Sequence, residues 1–132
     1  MKKILFLIIA LLTSLSAELT NKYPDAKLLN STIPIVDIRT QPEWLETGLV
    51  RDAIIITFFD QRGQFNLNQF LTELNQKVDT TKPFALICRT ASRTGIVSKY
   101  LSEKLHYKVI NLLGGMMYIK AKRLPTFPYK AK

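Results

Sequence analysis

Apolar residues along the chain fall into short dense runs, separated by stretches in which they recur at helical spacing. Residues 34–38 (PIVDI), 53–58 (AIIITF), 84–87 (FALI) and 108–112 (KVINL) are mainly apolar and mostly rich in β-branched residues, the pattern of strands buried on both faces. Between the first two runs, residues 41–47 read as a short helix. Thr40 stands at its N-cap, Pro42 in its first turn and Glu43 where a capping box requires it, and Gly48 ends it. Residues 66–78 carry Leu67, Phe70, Leu71, Leu74 and Val78 at helical spacing. Residues 92–105 set Ile96, Val97, Tyr100, Leu101 and Leu105 on one helical face. Gly114-Gly115 marks a tight turn before a last short helix over 116–122. Apolar strands alternating with helices predict an α/β domain, with a mainly parallel central sheet flanked by helices on both faces.

The 132 residues suffice for one domain. Its expected extent is 33–126, after a polar lead-in over 18–32 with one short helix or strand interrupted by Pro24, and before a tail over 127–132. That tail leaves packing on a second copy, a homodimer, open. Residues 1–17 have the layout of a secretory signal peptide: a basic Met1-Lys2-Lys3, an apolar run from Ile4 to Leu12, and small residues up to Ala17. A cut after Ala17 or Ser16 is expected, and with it an exported, periplasmic chain. The apolar run is shorter than the about 20 residues a spanning helix needs, so no membrane span is expected after cleavage.

Charge narrows the partners. The formal net charge is +9, and without Lys2 and Lys3 it is +7. That balance favours anions. No basic stripe is interleaved with aromatics, which argues against nucleic acid. Lys120, Lys122, Arg123, Lys130 and Lys132 read as a solvated face rather than a docking patch.

The stretch FALICRTASRTG, residues 84–95, holds the single cysteine of the chain. In parallel sheets ligands bind beyond the carboxyl ends of strands, and Cys88 ends one. A short loop follows and a helix begins near Arg93. The open N–H groups and dipole of that helix, with Arg89 and Arg93, favour the nucleophilic thiolate. One cysteine and one histidine exclude a Cys-x-x-Cys redox pair and argue against a metal site or a metal cofactor. His106, beyond the helix, reads as a solvated side chain.

These segments, in this order, resemble a single-domain rhodanese, a thiosulfate:cyanide-type sulfurtransferase. PIVDIR (34–39) is similar to the family's strand end, Glu43-Trp44 to its Glu-Trp, and Gly48 to the glycine that follows. CRTASRT (88–94) is similar to its active-site loop, NLLGG (111–115) to its last strand and turn, and Leu124-Pro125 to its closing Leu-Pro. The resemblance implies that Cys88 attacks a sulfane sulfur of a small anionic donor, thiosulfate or polysulfide, and becomes a persulfide. Backbone amides of Arg89, Thr90, Ala91, Ser92, Arg93 and Thr94 would cradle that sulfur. A thiophilic acceptor, cyanide or a thiol (a protein acceptor included), would take it, with no cofactor. Arg39 and Glu43 would form a supporting ion pair, and Asp37 would order the strand end.

The loop from Cys88 to Arg93 is Cys-x4-Arg, one residue shorter than the Cys-x5-Arg of related phosphatases, and so too tight for a phosphoryl group. This and the absence of a second, resolving cysteine argue against a phosphatase or arsenate reductase. The chain departs from the family at Ala91, in place of the loop glycine, so its backbone is expected to avoid positive φ. It departs also at 48–50, which lacks a histidine, at Arg51-Asp52-Ala53 in place of Pro-Gly-Ala, and at Ile119 in place of a tryptophan. The alternative to an enzyme is a non-catalytic module of the same fold that carries sulfur to, or docks on, one partner.

Overall fold

A computed structural model describes residues 19–131. In chain order its elements are β1 (Leu19–Lys22), α1 (Ala26–Leu29), β2 (Ile35–Asp37), α2 (Gln41–Thr47), β3 (Ile54–Ile55), α3 (Leu67–Lys77), β4 (Phe84–Ile87), α4 (Ser92–Leu105), β5 (Val109–Leu112) and α5 (Gly115–Ala121). The strands form one sheet in the order β1-β5-β4-β2-β3, and every pairing is parallel. Parallel neighbours require crossovers, and the helices supply them.

Side-chain alternation divides the interior into two cores. Val36, Ile38, Phe84, Leu86, Cys88 and Val109 face the side covered by Phe70 and Leu74 of α3 and Val97 and Leu101 of α4. Ile35, Ala85, Ile87 and Leu112 face the other side, with Leu28 and Leu29 of α1 and Met116 and Ile119 of α5. Every residue of β4 is fully buried, as its continuous apolar run predicts. The expected α/β architecture is the one found.

Four details differ from the sequence reading. The lead-in is structural: β1 is an edge strand on β5, and α1 buries Leu28 and Leu29. The run at 53–58 is a strand only at Ile54 and Ile55, although Ile56 N and Phe58 N still donate to Asp37 O and Ile38 O, each at 3.1 Å. The tail folds back on its own domain, where Phe127 and Leu49 exchange backbone hydrogen bonds of 2.8 Å and Tyr129 meets the Trp44 ring edge-on. A Cβ on Gly48 would come within 2.7 Å of Phe127 O, so that crossing requires glycine.

The fourth concerns α4. Ile96 and Tyr100 are exposed, and the buried face is Thr94, Val97, Ser98, Leu101 and Ser102. The stripe is rotated by one residue because small side chains, hydroxyls included, let the helix settle close to the sheet. Apolar character alone pointed to the neighbouring row. The export layout of residues 1–17 lies outside the described residues. No described helix is long and apolar enough to cross a membrane.

A buried charge network fixes the carboxyl end of β2. Asp37 and Arg39 are 0% and 1% exposed. Arg39 Nε and Nη2 donate to the Asp37 carboxylate at 2.8 to 3.1 Å, and Trp44 Nε1 donates to the same carboxylate at 3.1 Å. The remaining guanidinium donors reach Thr47 Oγ1 at 2.6 Å and Gly48 O at 2.8 Å. A charge this deep is tolerated only when paired and hydrogen-bonded. Asp37→Ala strands Arg39 without its counter-ion, so urea denaturation should show a loss of about 3–5 kcal/mol.

Candidate active site

Cys88 continues the alternation of Phe84 and Leu86 and therefore points toward α4. It is fully buried, and its Sγ lies 3.5 Å from Thr94 Oγ1, itself fully buried one turn into the helix. The expected position below the helix N-terminus is occupied, but the thiol is covered rather than open. The loop above it is accessible: Arg89, Thr90 and Ser92 are exposed, and Ala91 and Arg93 are half-buried.

The loop backbone is held from one side. Met116 N donates to Cys88 O at 2.9 Å and Met117 N to Arg89 O at 3.0 Å. This approach is close. Gly115 has φ 54°, and a Cβ there would overlap Cys88 O and lie 2.6 Å from Arg89 C and O. Because a trans peptide points its C=O and N–H in opposite directions, the N–H groups of Arg89 and Thr90 face away from α5. At the other end, Gly95 N donates to Ala91 O at 2.9 Å, which begins α4. No side chain caps this helix, so its first-turn donors stay open. The N–H groups of Arg89, Thr90, Ala91, Ser92, Arg93 and Thr94 find no acceptor among the described residues. They are six consecutive donors on the bend over Cys88, a concavity suited to an anion.

Ala91 does not avoid positive φ, contrary to expectation. It is the N-cap of α4 at φ 78° and ψ 4°. The bend from strand to helix in so few residues demands a left-handed residue whether or not glycine supplies it.

The supporting charges are also paired differently. The Arg39 side chain binds Asp37 and reaches Glu43 only at its backbone oxygen, at 3.3 Å. The Glu43 carboxylate instead grips Arg93, with Nη1–Oε1 and Nη2–Oε2 both 2.7 Å. Glu43 Oε1 also accepts from Thr40 Oγ1 at 3.1 Å and from Thr40 N at 3.4 Å, the capping contact read from the sequence. One carboxylate thus caps α2 and anchors the first turn of α4. Arg93 therefore brings a neutral pair to the site, and Arg89, which makes no ion pair among the described residues, is the free cation of the loop.

Sequence reading missed Thr94 as a side-chain partner of the thiol, and Gly115, Met116 and Met117 as the loop's support. The Gly-Gly pair was the available signal, because two adjacent glycines mark a close backbone approach as well as a turn. Among the described residues, no group of three or more His, Cys, Asp and Glu side chains is placed to hold a metal ion. His106 is exposed at the C-cap of α4.

Hydrogen bonds from Arg93, with its charge and the Thr40 donors adding and burial opposing, hold the Glu43 carboxyl down at about 2 against an ordinary 4.5. A depressed carboxyl stabilises the fold above its unfolded-state value, and this is lost as the pH falls through the folded one. Stability should therefore drop between about pH 4.5 and pH 2, and Glu43→Gln should flatten that part of the curve in acid-titrated denaturation. At Ala91 a left-handed conformation costs an L-residue about 1–2 kcal/mol, of which glycine's larger unfolded-state entropy returns about 0.4–1. Ala91→Gly should raise the unfolding free energy by about 0.5–1 kcal/mol in urea denaturation.

Comparison with known proteins agrees with this geometry. The family described as "Rhodanese-like domain" matches residues 17–122. A Bacillus subtilis protein named "Putative sulfurtransferase YtwF" is 31% identical over 83 residues, 63% of this chain and 69% of that one. The Rickettsia prowazekii protein RP600, named as uncharacterized, is 28% identical over 92 residues, 67% of this chain and 72% of that one. Among solved structures, Rv0390 of M. tuberculosis aligns with a TM-score of 0.59 at 20% identity, over 74% of this chain and 80% of that one. A rhodanese-like domain protein of Staphylococcus aureus aligns with a TM-score of 0.52 at 27% identity, over 70% and 79%. A strand-end cysteine under an uncapped helix, on a parallel five-stranded sheet matched along most of its length, places this chain in the rhodanese-like domain family.

Proposed function

We propose that the chain is a sulfurtransferase in which Cys88 carries sulfur as a persulfide. The observation that carries this reading is the run of six loop N–H groups without a protein acceptor, beside the one thiol in the chain. Such donors stabilise negative charge on a sulfur bound to Cys88, and they cost no rearrangement when it arrives.

The Cys88 thiolate attacks the outer sulfur of thiosulfate. A new S–S bond forms at Sγ, the sulfur–sulfur bond of the donor breaks, and sulfite leaves with the electron pair. Polysulfide reacts in the same way and leaves one sulfur shorter. A thiophilic acceptor, cyanide or a thiolate, then attacks the outer sulfur and Cys88 departs as thiolate. Arg89 supplies the free positive charge that draws such anions to the loop. The loop, one residue shorter than that of related phosphatases, favours a single sulfur over a tetrahedral oxyanion. The leader-like residues 1–17 favour export, and the intact mass of the chain recovered from its native host, with or without that segment, decides the point.

Full burial of Cys88 favours one other reading, a carrier that holds sulfur for a single partner and releases it only there. The two differ in turnover. Incubation with thiosulfate or polysulfide should add one sulfur to the chain by intact mass, and added cyanide should then give multiple turnovers. Cys88→Ser should do neither. Mass gain without turnover selects the carrier, and equal activity in the variant ends both readings.

A further inference from the structure

A cavity of about 680 Å³ is lined by Arg89 of the loop, by Arg93 and Ile96 on the first turns of α4, and by Phe59 and Asp60 after β3. Its walls include none of the described residues of α5. α5 holds the carbonyls of Cys88 and Arg89 from its own side, and the loop N–H groups turn the opposite way. The cavity therefore lies toward α4, the side on which Cys88 and those donors face. Its volume falls within the about 300–1,000 Å³ of small-molecule sites, room for a reactant larger than thiosulfate or cyanide.

The charged side chains of this wall, Arg89 apart, are already engaged. The Glu43 carboxylate and the Arg93 guanidinium bind each other. Asp60 Oδ1 accepts from Arg62 N at 2.8 Å and from Gln64 N at 2.9 Å, which closes its own turn. Two apolar side chains are left uncovered. Ile96 is 66% exposed and sits one turn beyond Arg93 on the same face of α4. Phe59 is half-buried, with its ring set edge-on against Phe58 and Phe65 at 4.7 and 5.6 Å. Thiosulfate, polysulfide and cyanide bring no hydrocarbon to set against these two. A thiol acceptor does, because what lies beyond its sulfur is carbon.

We infer that this cavity selects the acceptor as a small thiol on an apolar arm, with the hydrocarbon against Phe59 and Ile96 and the thiolate toward the loop N–H groups. The inference rests on the sulfurtransferase reading and names the class of its acceptor. The acceptor thiolate attacks the outer sulfur of the Cys88 persulfide. A sulfur–sulfur bond forms between acceptor and outer sulfur, the bond from Sγ to that sulfur breaks, and the electron pair stays on Sγ. The products are the acceptor persulfide and the Cys88 thiolate, with no other reactant required. Phe59 and Ile96 are specificity-determining residues here and touch no sulfur.

The test loads the purified chain with thiosulfate, checks the added sulfur by intact mass, and measures kcat/KM for ethanethiol, 1-propanethiol and 1-butanethiol. The three thiols are nearly equal in acidity, so differences among them report the arm. Complete burial of a methylene is worth about fourfold, and a partly open cavity should give about threefold, or about tenfold across the series. Ile96→Ser, a change at an exposed position, should bring that ratio toward one. Leu45→Ser removes an apolar side chain of similar exposure outside the cavity and should leave the ratio as it is. Wild-type protein that gains sulfur but delivers it to all three thiols alike, or to none, would overturn the inference. So would a ratio unmoved by Ile96→Ser, or lowered equally by Leu45→Ser. Failure of the wild-type chain to gain sulfur at all would overturn the sulfurtransferase reading instead.

Discussion

Six N–H groups in a row must be kept free of protein acceptors, and much of the surrounding fold is arranged around that requirement. Unsatisfied backbone donors are costly when buried, and most of the loop that carries them, from Arg89 to Arg93, is exposed or half-buried. Three of its carbonyls are satisfied instead. The first two receive the N–H groups of Met116 and Met117, an approach that only a glycine at 115 permits. The next fixed carbonyl, that of Ala91, belongs to the first hydrogen bond of α4. With the oxygens held on one side, planar peptides hold the hydrogens on the other. A serine or aspartate cap on α4 would have consumed the same donors, and the N-cap position carries alanine.

The two ion pairs divide the structural work. Asp37 with Arg39 lies wholly inside, where it ties the end of β2 to the C-terminal end of α2 through Thr47 and Gly48. Glu43 with Arg93 lies at the edge of the loop and ties the start of α2 to the start of α4. Together they clamp α2 at both ends against the strand and helix that frame Cys88. The consequence for electrostatics is that Arg93, which reads as a cation in the sequence, is already neutralised. Arg93 still acts on the thiol, so the field there combines backbone dipoles with that paired guanidinium. Backbone dipoles are fixed in place by the fold, so their contribution survives without any side chain having to be ordered.

Architecture was legible because strands buried on both faces must be continuously apolar, and three helices announced themselves through Thr40, Asn66 and the break after Leu105. The edge strand β1 was not, because Leu19-Thr20-Asn21-Lys22 is exposed along its length and has no apolar run to show. Cys88 and its loop were legible from order and spacing. Their partners were not, because pairing among Asp37, Arg39, Glu43 and Arg93 depends on where helices start in space. With two acids and two arginines, the family resemblance implied Arg39 with Glu43, whereas Glu43 and Arg93 meet across fifty positions. The conformation of Ala91 was misjudged for a related reason. Intrinsic preference ranks what a residue adopts freely, and here the flanking strand and helix leave it only one choice.

Complete burial of the thiol bears on what chemistry this site can select. Sγ is fully buried and contacts a buried hydroxyl, so access to it is restricted. A sulfur atom at the end of a chain, as in thiosulfate or polysulfide, is narrow and monovalent toward the thiol. In the proposed reading, a phosphoryl group would bring three oxygens to the same point and would require the ring of donors to widen. The clamps at both ends of α2 and the glycine contact beneath the loop all oppose widening. In the same reading, the rigidity that holds Ala91 in a left-handed conformation would also act as a filter, favouring a single sulfur over a wider group.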